Sequence, residues 1–156
     1  MKRYCPNRKF PPYSFIPTQN LNPNRKGGYR EGIPDPISKP INKNRYMYHH
    51  DYLFAIDLIN YGYFWESHVY FEAIWHAHSR EGDVANYCKA LVKIAAGAIK
   101  NKQGRTKSAN RLFEGTKEIL CHLPPNFYLG ISLNELISIS TNWLLEGQKE
   151  IKLIKT

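Results

Sequence analysis

The sequence predicts an all-α protein, a compact bundle of four to five helices that follows an extended, proline-rich N-terminal arm. Eight of the ten prolines precede residue 41, and proline disfavours both helix and regular strand. From about residue 51 onward, apolar residues recur at the spacing of one helix face. Phe, Trp and Tyr make up 13% of the chain, so aromatic packing is expected to dominate the core.

The composition changes near residue 46 and divides the chain into two parts. Residues 1–46 are predicted to be an irregular arm, which wraps the domain or is ordered by a partner. Its stretches "PPYSFIP" and "YREGIP" contain apolar side chains that favour burial over disorder. Residues 47–156 are predicted to form the helical bundle, and a chain of this length can bury a single core.

Each predicted helix begins or ends at a recognisable residue. The first helix stops at Gly62, a residue suited to a helix C-terminus, and the second follows almost at once, as in a helical hairpin. Asp83 suits the N-cap of the third helix, and Gly104 ends it. Ser132 and Glu135 have the spacing of a capping box before the last helix. The five predicted helices cover about 51–61, 63–80, 84–102, 106–123 and 132–149.

The sequence also excludes several classes of protein. The three cysteines, Cys5, Cys88 and Cys121, have no C-x-x-C spacing, so neither a disulfide framework nor a zinc knuckle is indicated. No apolar h-region follows the basic start, and no apolar run approaches the roughly 20 residues of a membrane span. These observations predict a cytoplasmic protein that has no membrane partner.

The formal net charge of +9 is unevenly distributed. Residues 1–50 contain ten basic and two acidic side chains, and residues 83–120 contain eight basic and three acidic ones. Such clusters bind phosphates with salt-sensitive affinity. A nucleic-acid-binding protein is therefore an alternative to a solvated basic surface. The candidate contacts for nucleic acid are Arg25, Lys26, Arg30, Lys102, Arg105, Lys107 and Arg111.

The stretch "GYFWESHVYFEAIWHAH" places titratable groups among large aromatic side chains. At about 100° per residue, His68 and Glu72 share a helix face with two Trp and two Phe side chains, and His76 borders that face. If this face packs inward, Glu72 is partly desolvated and requires a partner. His68 lies one turn earlier. Lys93 in the next helix lies beside small residues that would allow close approach.

Two interpretations of these groups remain open. In the first, His68, Glu72 and Lys93 form a buried polar network that fixes helix register, as in a structural or oligomerisation module. In the second, they line a small-ligand or catalytic pocket, with His68 as general acid or base, Glu72 orienting it and Lys93 holding charge. No cofactor is predicted. A single divalent metal at His68 and Glu72 is a subordinate alternative, since the row that includes His76 spans about 12 Å of helix axis.

The residues of this region resemble the domain-of-unknown-function family 309, over about residues 50–120. The resemblance rests on "YLFAIDLINYGYFWESHVYFEAIWHAHSREGD" followed by "KALVKIAAGAIKNKQGRTKSA", and the arm is similar to that of longer members. It implies a small all-α bundle and supplies no established activity. The matching positions are Asn60, Gly62, Tyr63, Trp65, Glu66, His68, Glu72, Trp75, Lys93, Ala95, Ala96, Gly104 and Ala109.

Three positions depart from the family pattern. Val69 replaces the glutamate that usually follows the histidine, Tyr61 stands where many longer members have a histidine, and Lys100 stands where shorter members often have one. Whether the chain is an enzyme, and whether Val69 marks a lost activity, therefore stays open, as does the oligomeric state. Glu66, in the first turn of its helix, is expected to interact with the helix N-terminus. The ligand-pocket candidates are Tyr61, Phe64, Trp65, Trp75, His76 and Lys100.

Overall fold

The computed structural model describes residues 1–154 and confirms the all-α fold. All five predicted helices are present within one or a few residues of their expected ends. A short 3-10 helix, Lys43–Tyr48, precedes them. The α-helices are α1 (His50–Asn60), α2 (Phe64–Ala77), α3 (Asp83–Lys102), α4 (Thr106–Leu120) and α5 (Leu133–Glu146).

The predicted helix ends are largely confirmed. Gly62 follows the C-cap Tyr61 with a positive φ of 85°, which glycine adopts without steric cost. Ser132 caps α5, because its hydroxyl accepts a hydrogen bond from the Glu135 amide at 3.3 Å. The prediction for Asp83 was wrong by one residue: Gly82 is the N-cap and Asp83 is the first helical residue. There its carboxylate still complements the helix dipole.

A small hairpin between α4 and α5 was not predicted. Strands β1 (Phe127–Tyr128) and β2 (Ile131–Ser132) pair antiparallel, with Tyr128 opposite Ile131. The two loop residues, Leu129 and Gly130, both have positive φ, as in the turns that favour tight hairpins. Strands of two residues are too short for an alternating pattern, so the sequence carried no usable signal.

Helix α3 lies at the centre of the bundle and packs against both α2 and α4. Gly97 allows the close approach of α4, since a Cβ at this position would lie 2.7 Å from the Phe113 ring. The small residues of α3 were expected to bring Lys93 towards α2. They instead admit Phe113 from α4, because the ring fills the space that a side chain at position 97 would occupy.

The arm packs along α1 and α2. Helix α1 is buried continuously from Tyr52 to Asn60, because the bundle covers one side and the arm and C-terminal segment cover others. Phe10 lies between the rings of Phe54, Tyr61 and Tyr63. The predicted boundary at residue 46 falls inside the 3-10 helix and stays a prediction.

The C-terminal segment after α5 returns to α1 and to the start of the arm. The amide group of Asn60 donates to the Ile151 carbonyl and accepts from the Ile151 amide. The Leu153 amide donates to the Tyr4 hydroxyl, so the two ends of the chain meet. Within residues 1–154, no helix combines the length and apolar character needed to cross a bilayer.

Candidate functional site

The buried face of helix α2 includes the two Phe side chains of the aromatic face but not His68 or Glu72. Its core contacts come from Phe64, Ser67, Phe71 and Ile74, and the arm covers the adjoining side. His68 and Glu72, which would be desolvated only if their face packed inward, are partly exposed. Trp65 and Trp75 are only partly buried, because the core and the arm approach α2 from other directions.

His68 and Glu72 do form the predicted pair, on the partly exposed face of α2. The His68 Nε2 lies 3.0 Å from a carboxylate oxygen of Glu72, and His68 Nδ1 lies 3.2 Å from the Trp65 carbonyl. The Glu72 side chain is 40% exposed, and His76 is more distant from it, at 3.9 Å. An exposed pair of this kind contributes little to stability. Its catalytic role stays a prediction.

Lys93 lies away from this pair. Its side chain crosses Gly115 of α4, where the ammonium would be 3.2 Å from an added Cβ. Among residues 1–154, no ion pair joins Lys93 to Glu72. The three groups that were expected to converge are therefore not brought together.

The ligand-pocket candidates are dispersed over the fold. Phe64 is buried against Trp143 of α5, and the Tyr61 hydroxyl donates to the Met1 carbonyl. Lys100 is partly buried near the end of α3, and Trp75 lies beside the exposed His76. Trp65 is the exception, because it lines the cavity described below.

The buried acid of α2 is Glu66, which is only 3% exposed. Its hydrogen-bond partners come from the arm. The Phe15 amide and the Tyr29 hydroxyl donate to the same carboxylate oxygen, Oε1, at 2.9 and 2.8 Å. Oε2 is also buried, and no residue in the described part of the chain hydrogen-bonds to it. Most buried polar atoms in proteins have a hydrogen-bond partner. Oε2 is an exception, because it is a buried acceptor that lacks a donor within residues 1–154.

Burial also changes the proton affinity of the groups around Glu66. It raises the pKa of Glu66, against the opposing effect of the hydrogen bonds from Phe15 and Tyr29 and of the nearby Arg30 charge. Burial, followed by the hydrogen bond to Glu66, raises the pKa of Tyr29. Tyr29 therefore stays protonated and acts as a donor to the carboxylate.

A cavity of about 390 Å³ lies between the arm and helices α1 and α2. We call it the arm cavity. Its volume is within the range of small-ligand sites. Val69, the position at which the resemblance indicates a glutamate, contributes to its wall. The lining residues are Arg8, Lys9, Phe10, Pro11, Tyr29, Arg30, Ile33, Pro36, Phe54, Trp65, Glu66, Val69 and Tyr70.

Three cations and one acid line the arm cavity, which gives it a positive balance. Arg8 is held by Asp51 at 2.7 Å and by the Tyr70 hydroxyl at 2.9 Å. Arg30 lies over the Trp65 ring, 5.7 Å from its centre. Its ion partner Asp35 is 83% exposed, and such pairs are weak because water screens them.

A second buried carboxylate, Asp57 of α1, fixes the start of the arm. Its two oxygens accept the amides of Tyr4 and Cys5, each at 2.8 Å, and Arg3 Nε lies 3.4 Å away. Unlike Glu66, this carboxylate has a partner on each oxygen. Asp57 therefore belongs to the fold and does not point to a ligand.

The basic candidates lie mainly at the surface. Lys102, Arg105, Lys107 and Arg111 are exposed around the turn between α3 and α4. The arm reaches this turn, since Gln19 donates to the Lys102 carbonyl and Gln103 donates to the Pro17 carbonyl. Arg25 and Lys26 are exposed in the arm, while Arg30 lies in the arm cavity. Their binding to nucleic acid stays a prediction.

Local sequence signals could not single out Glu66. It is in the first helical turn, as expected, but its partners lie 51 and 37 residues away in the chain. The aromatic residues of the arm indicated that the arm packs against the bundle or against a partner. The sequence did not show which helix the arm contacts.

The fold and the site define an all-α bundle in which an irregular arm and two helices line a cavity beside a buried glutamate. Residues 52–112 match the model of the family described as "Domain of unknown function (DUF309)". This match confirms the resemblance found in the sequence over residues 52–112. No curated protein sequence matches the chain. In the described residues, no three His, Cys, Asp or Glu side chains are grouped as metal ligands.

Proposed function

We propose that this protein binds a small molecule in the arm cavity, with Glu66 as its polar anchor. The observation that carries the proposal is the buried Oε2 of Glu66, which has no hydrogen-bond partner among residues 1–154. A buried acceptor without a donor costs about 1–3 kcal/mol. A ligand that supplies this donor recovers part of that cost.

The surroundings of Glu66 support binding at this place. The largely apolar lining includes aromatic rings from both the arm and the helices, and a few polar groups are grouped among them. This combination is typical of small-ligand sites. A carboxyl with a raised pKa beside a cavity is also a general indicator of functional sites.

The proposal is tested by screening a fragment library against the protein by thermal shift and ligand-observed NMR. Glu66→Gln is the informative variant, because the amide oxygen still accepts from Phe15 and Tyr29 while an NH₂ group replaces Oε2. We expect fragments that stabilise the wild type and lose most of this effect in Glu66→Gln. Stabilisation follows from ligand binding to the folded state alone.

His68→Gln is the matched control for the rival site at His68 and Glu72. It changes a partly exposed side chain on the same helix, outside the lining of the arm cavity. Fragments that bind Glu66→Gln normally but fail to bind His68→Gln would overturn the proposal in favour of the rival site. A screen in which no fragment binds the wild type would overturn it altogether.

A further inference from the structure

We infer that the ligand of the arm cavity is a flat nitrogen heteroaromatic compound that carries an N–H donor at one end and an anionic group at the other, as a nucleoside monophosphate does. The inference rests on the proposed function and adds the chemical class of the ligand. Three features of the cavity carry it: one unfilled acceptor, aromatic walls and a cationic end.

The unfilled acceptor requires a donor on the ligand. Oε1 of Glu66 already accepts two hydrogen bonds, from Phe15 and Tyr29, so Oε2 is the oxygen that remains. A single N–H, such as an exocyclic amine on a ring, satisfies it. Hydrogen bonds to a carboxylate are shorter and stronger than those to a neutral acceptor.

The aromatic lining favours a flat ring as the body of the ligand. Phe10, Phe54, Trp65 and Tyr70 all line the cavity. Aromatic side chains bind flat rings by stacking or by edge contacts, and Arg8 already lies over one face of Phe54 and of Tyr70. An aliphatic ligand of equal size makes no such ring contacts.

Two of the three cations, Arg8 and Lys9, place the anionic group away from Glu66, whereas Arg30 lies near Glu66. Arg8 is bonded to the Tyr70 hydroxyl, and Tyr70 follows Glu66 by four residues, which is about 6 Å along the helix axis. Lys9 is exposed at the cavity edge, and no carboxylate of the described residues pairs with it. Arginine and lysine in this arrangement bind phosphate or carboxylate groups.

The test is isothermal titration calorimetry with AMP, using the full chain. We expect AMP to bind, and adenosine, which lacks the phosphate, to bind at least tenfold more weakly. N6,N6-dimethyl-AMP, which keeps the ring and the phosphate but lacks the N–H donor, is also expected to bind at least tenfold more weakly. Glu66→Gln should reduce the affinity for AMP by about tenfold or more, as expected for loss of a charged hydrogen bond.

Two further measurements distinguish an error in the inferred ligand class from an error in the proposed binding site. Lys9→Gln should lower the affinity for AMP and reduce the salt dependence of AMP binding. The affinity for adenosine should stay the same. If dimethyl-AMP binds as well as AMP, or if inorganic phosphate alone competes fully, the inferred class is overturned. If uncharged fragments bind in a Glu66-dependent manner while AMP, GMP, CMP and UMP do not bind at all, the inference fails and the proposed function stands.

Discussion

Two buried carboxylates on neighbouring helices show how differently the same chemical group is used in this protein. Both oxygens of Asp57 accept arm amides, whereas Glu66 concentrates both of its arm contacts on one oxygen. Burial of a carboxylate is costly unless hydrogen bonds compensate for it. The compensation is complete at Asp57 and partial at Glu66.

Glu66→Gln is therefore expected to affect stability in a pH-dependent way. Burial raises the pKa of Glu66, so this group favours the folded state at pH values below its ordinary pKa, and that contribution is lost as the pH rises through the folded-state pKa. The stability of the wild type relative to Glu66→Gln should fall as the pH increases. Urea unfolding of both proteins in steps from pH 4 to pH 7.5 measures the difference.

Glu66→Ala serves as the comparison for that experiment. It removes the acceptor for the Phe15 amide and the Tyr29 hydroxyl and should cost about 1–3 kcal/mol of unfolding free energy at neutral pH. Equal losses in Glu66→Ala and Glu66→Gln would show that Oε1 does not hold the arm. A difference between wild type and Glu66→Gln that is independent of pH would contradict the raised pKa.

At the scale of the elements, Gly97 marks a close contact between α3 and α4. Gly97→Ala places a methyl group 2.7 Å from the Phe113 ring and should destabilise the protein by about 1–3 kcal/mol through overpacking. Thermal and urea unfolding measure this loss. A variant as stable as the wild type would show that the two helices separate without cost.

Gly115→Ala is the matched control on the facing helix. Its added methyl group meets the mobile end of the Lys93 side chain at 3.2 Å, which can move away. Alanine also has the higher helix propensity, by about 1 kcal/mol. We expect this variant to be at least as stable as the wild type, in contrast to Gly97→Ala.

Two histidines hold the end of the arm on the helices. His78 accepts the Ile41 amide at 2.8 Å, while His49 accepts the Tyr52 amide and contacts the Lys39 carbonyl. Accepting a hydrogen bond requires the unprotonated ring nitrogen. The His78 contact to Ile41 therefore depends on a ring that lacks the second proton.

Stability is accordingly expected to fall in mildly acidic solution. Burial, with a smaller effect from the His49 charge, lowers the pKa of His78. The contribution of His78 is then fully present above the ordinary histidine pKa of about 6.5 and is lost as the pH falls through the lower folded-state value. His78→Gln should flatten this dependence between pH 7.5 and 5, as measured by urea unfolding.

His76→Gln is the control for this pH dependence, because the His76 side chain is 53% exposed. The unfolding free energy of this variant should change with pH almost as it does in the wild type. If the unfolding free energies of both variants depend on pH as in the wild type, His78 does not contribute to that dependence. Each variant is compared with the wild type at the same pH, since Glu66 acts in the opposite direction.

For the whole molecule, the arm is expected to behave as part of the folded unit even after the chain is cut. Arg25 and Lys26 are exposed in a turn of the arm, so brief trypsin treatment should cleave there. The fragment before the cut is held by Asp51, Asp57 and Glu66. The nicked protein should elute as one species in size-exclusion chromatography and separate only in denaturant.

The uncut protein in the same denaturant series is the reference for that experiment. Early release of the fragment under native conditions would mean that the arm contacts do not hold without chain connectivity. Cleavage after Arg3 or Arg8 ahead of Arg25 and Lys26 would also contradict the structure, because those two arginines are engaged in ion pairs with α1.

Much of the helical architecture could be predicted from the sequence, because helix periodicity and end signals are local. Gly62 and Ser132 lie where the pattern placed them. The pairing of His68 with Glu72 was also predictable, since a separation of four residues on a helix brings two side chains together. The hairpin at Tyr128 and Ile131 was missed, since two residues do not establish a period.

The sequence by itself determined the five helices, the irregular arm and the match of residues 52–112 to a family model. The tertiary structure alone decided which face of α2 is buried, because the Phe15 and Tyr29 contacts to Glu66 join residues far apart in the chain. Helix formation depends on neighbours within about one turn. Burial of a charge depends on whatever the rest of the chain places against it, and that is set only when the whole molecule has folded.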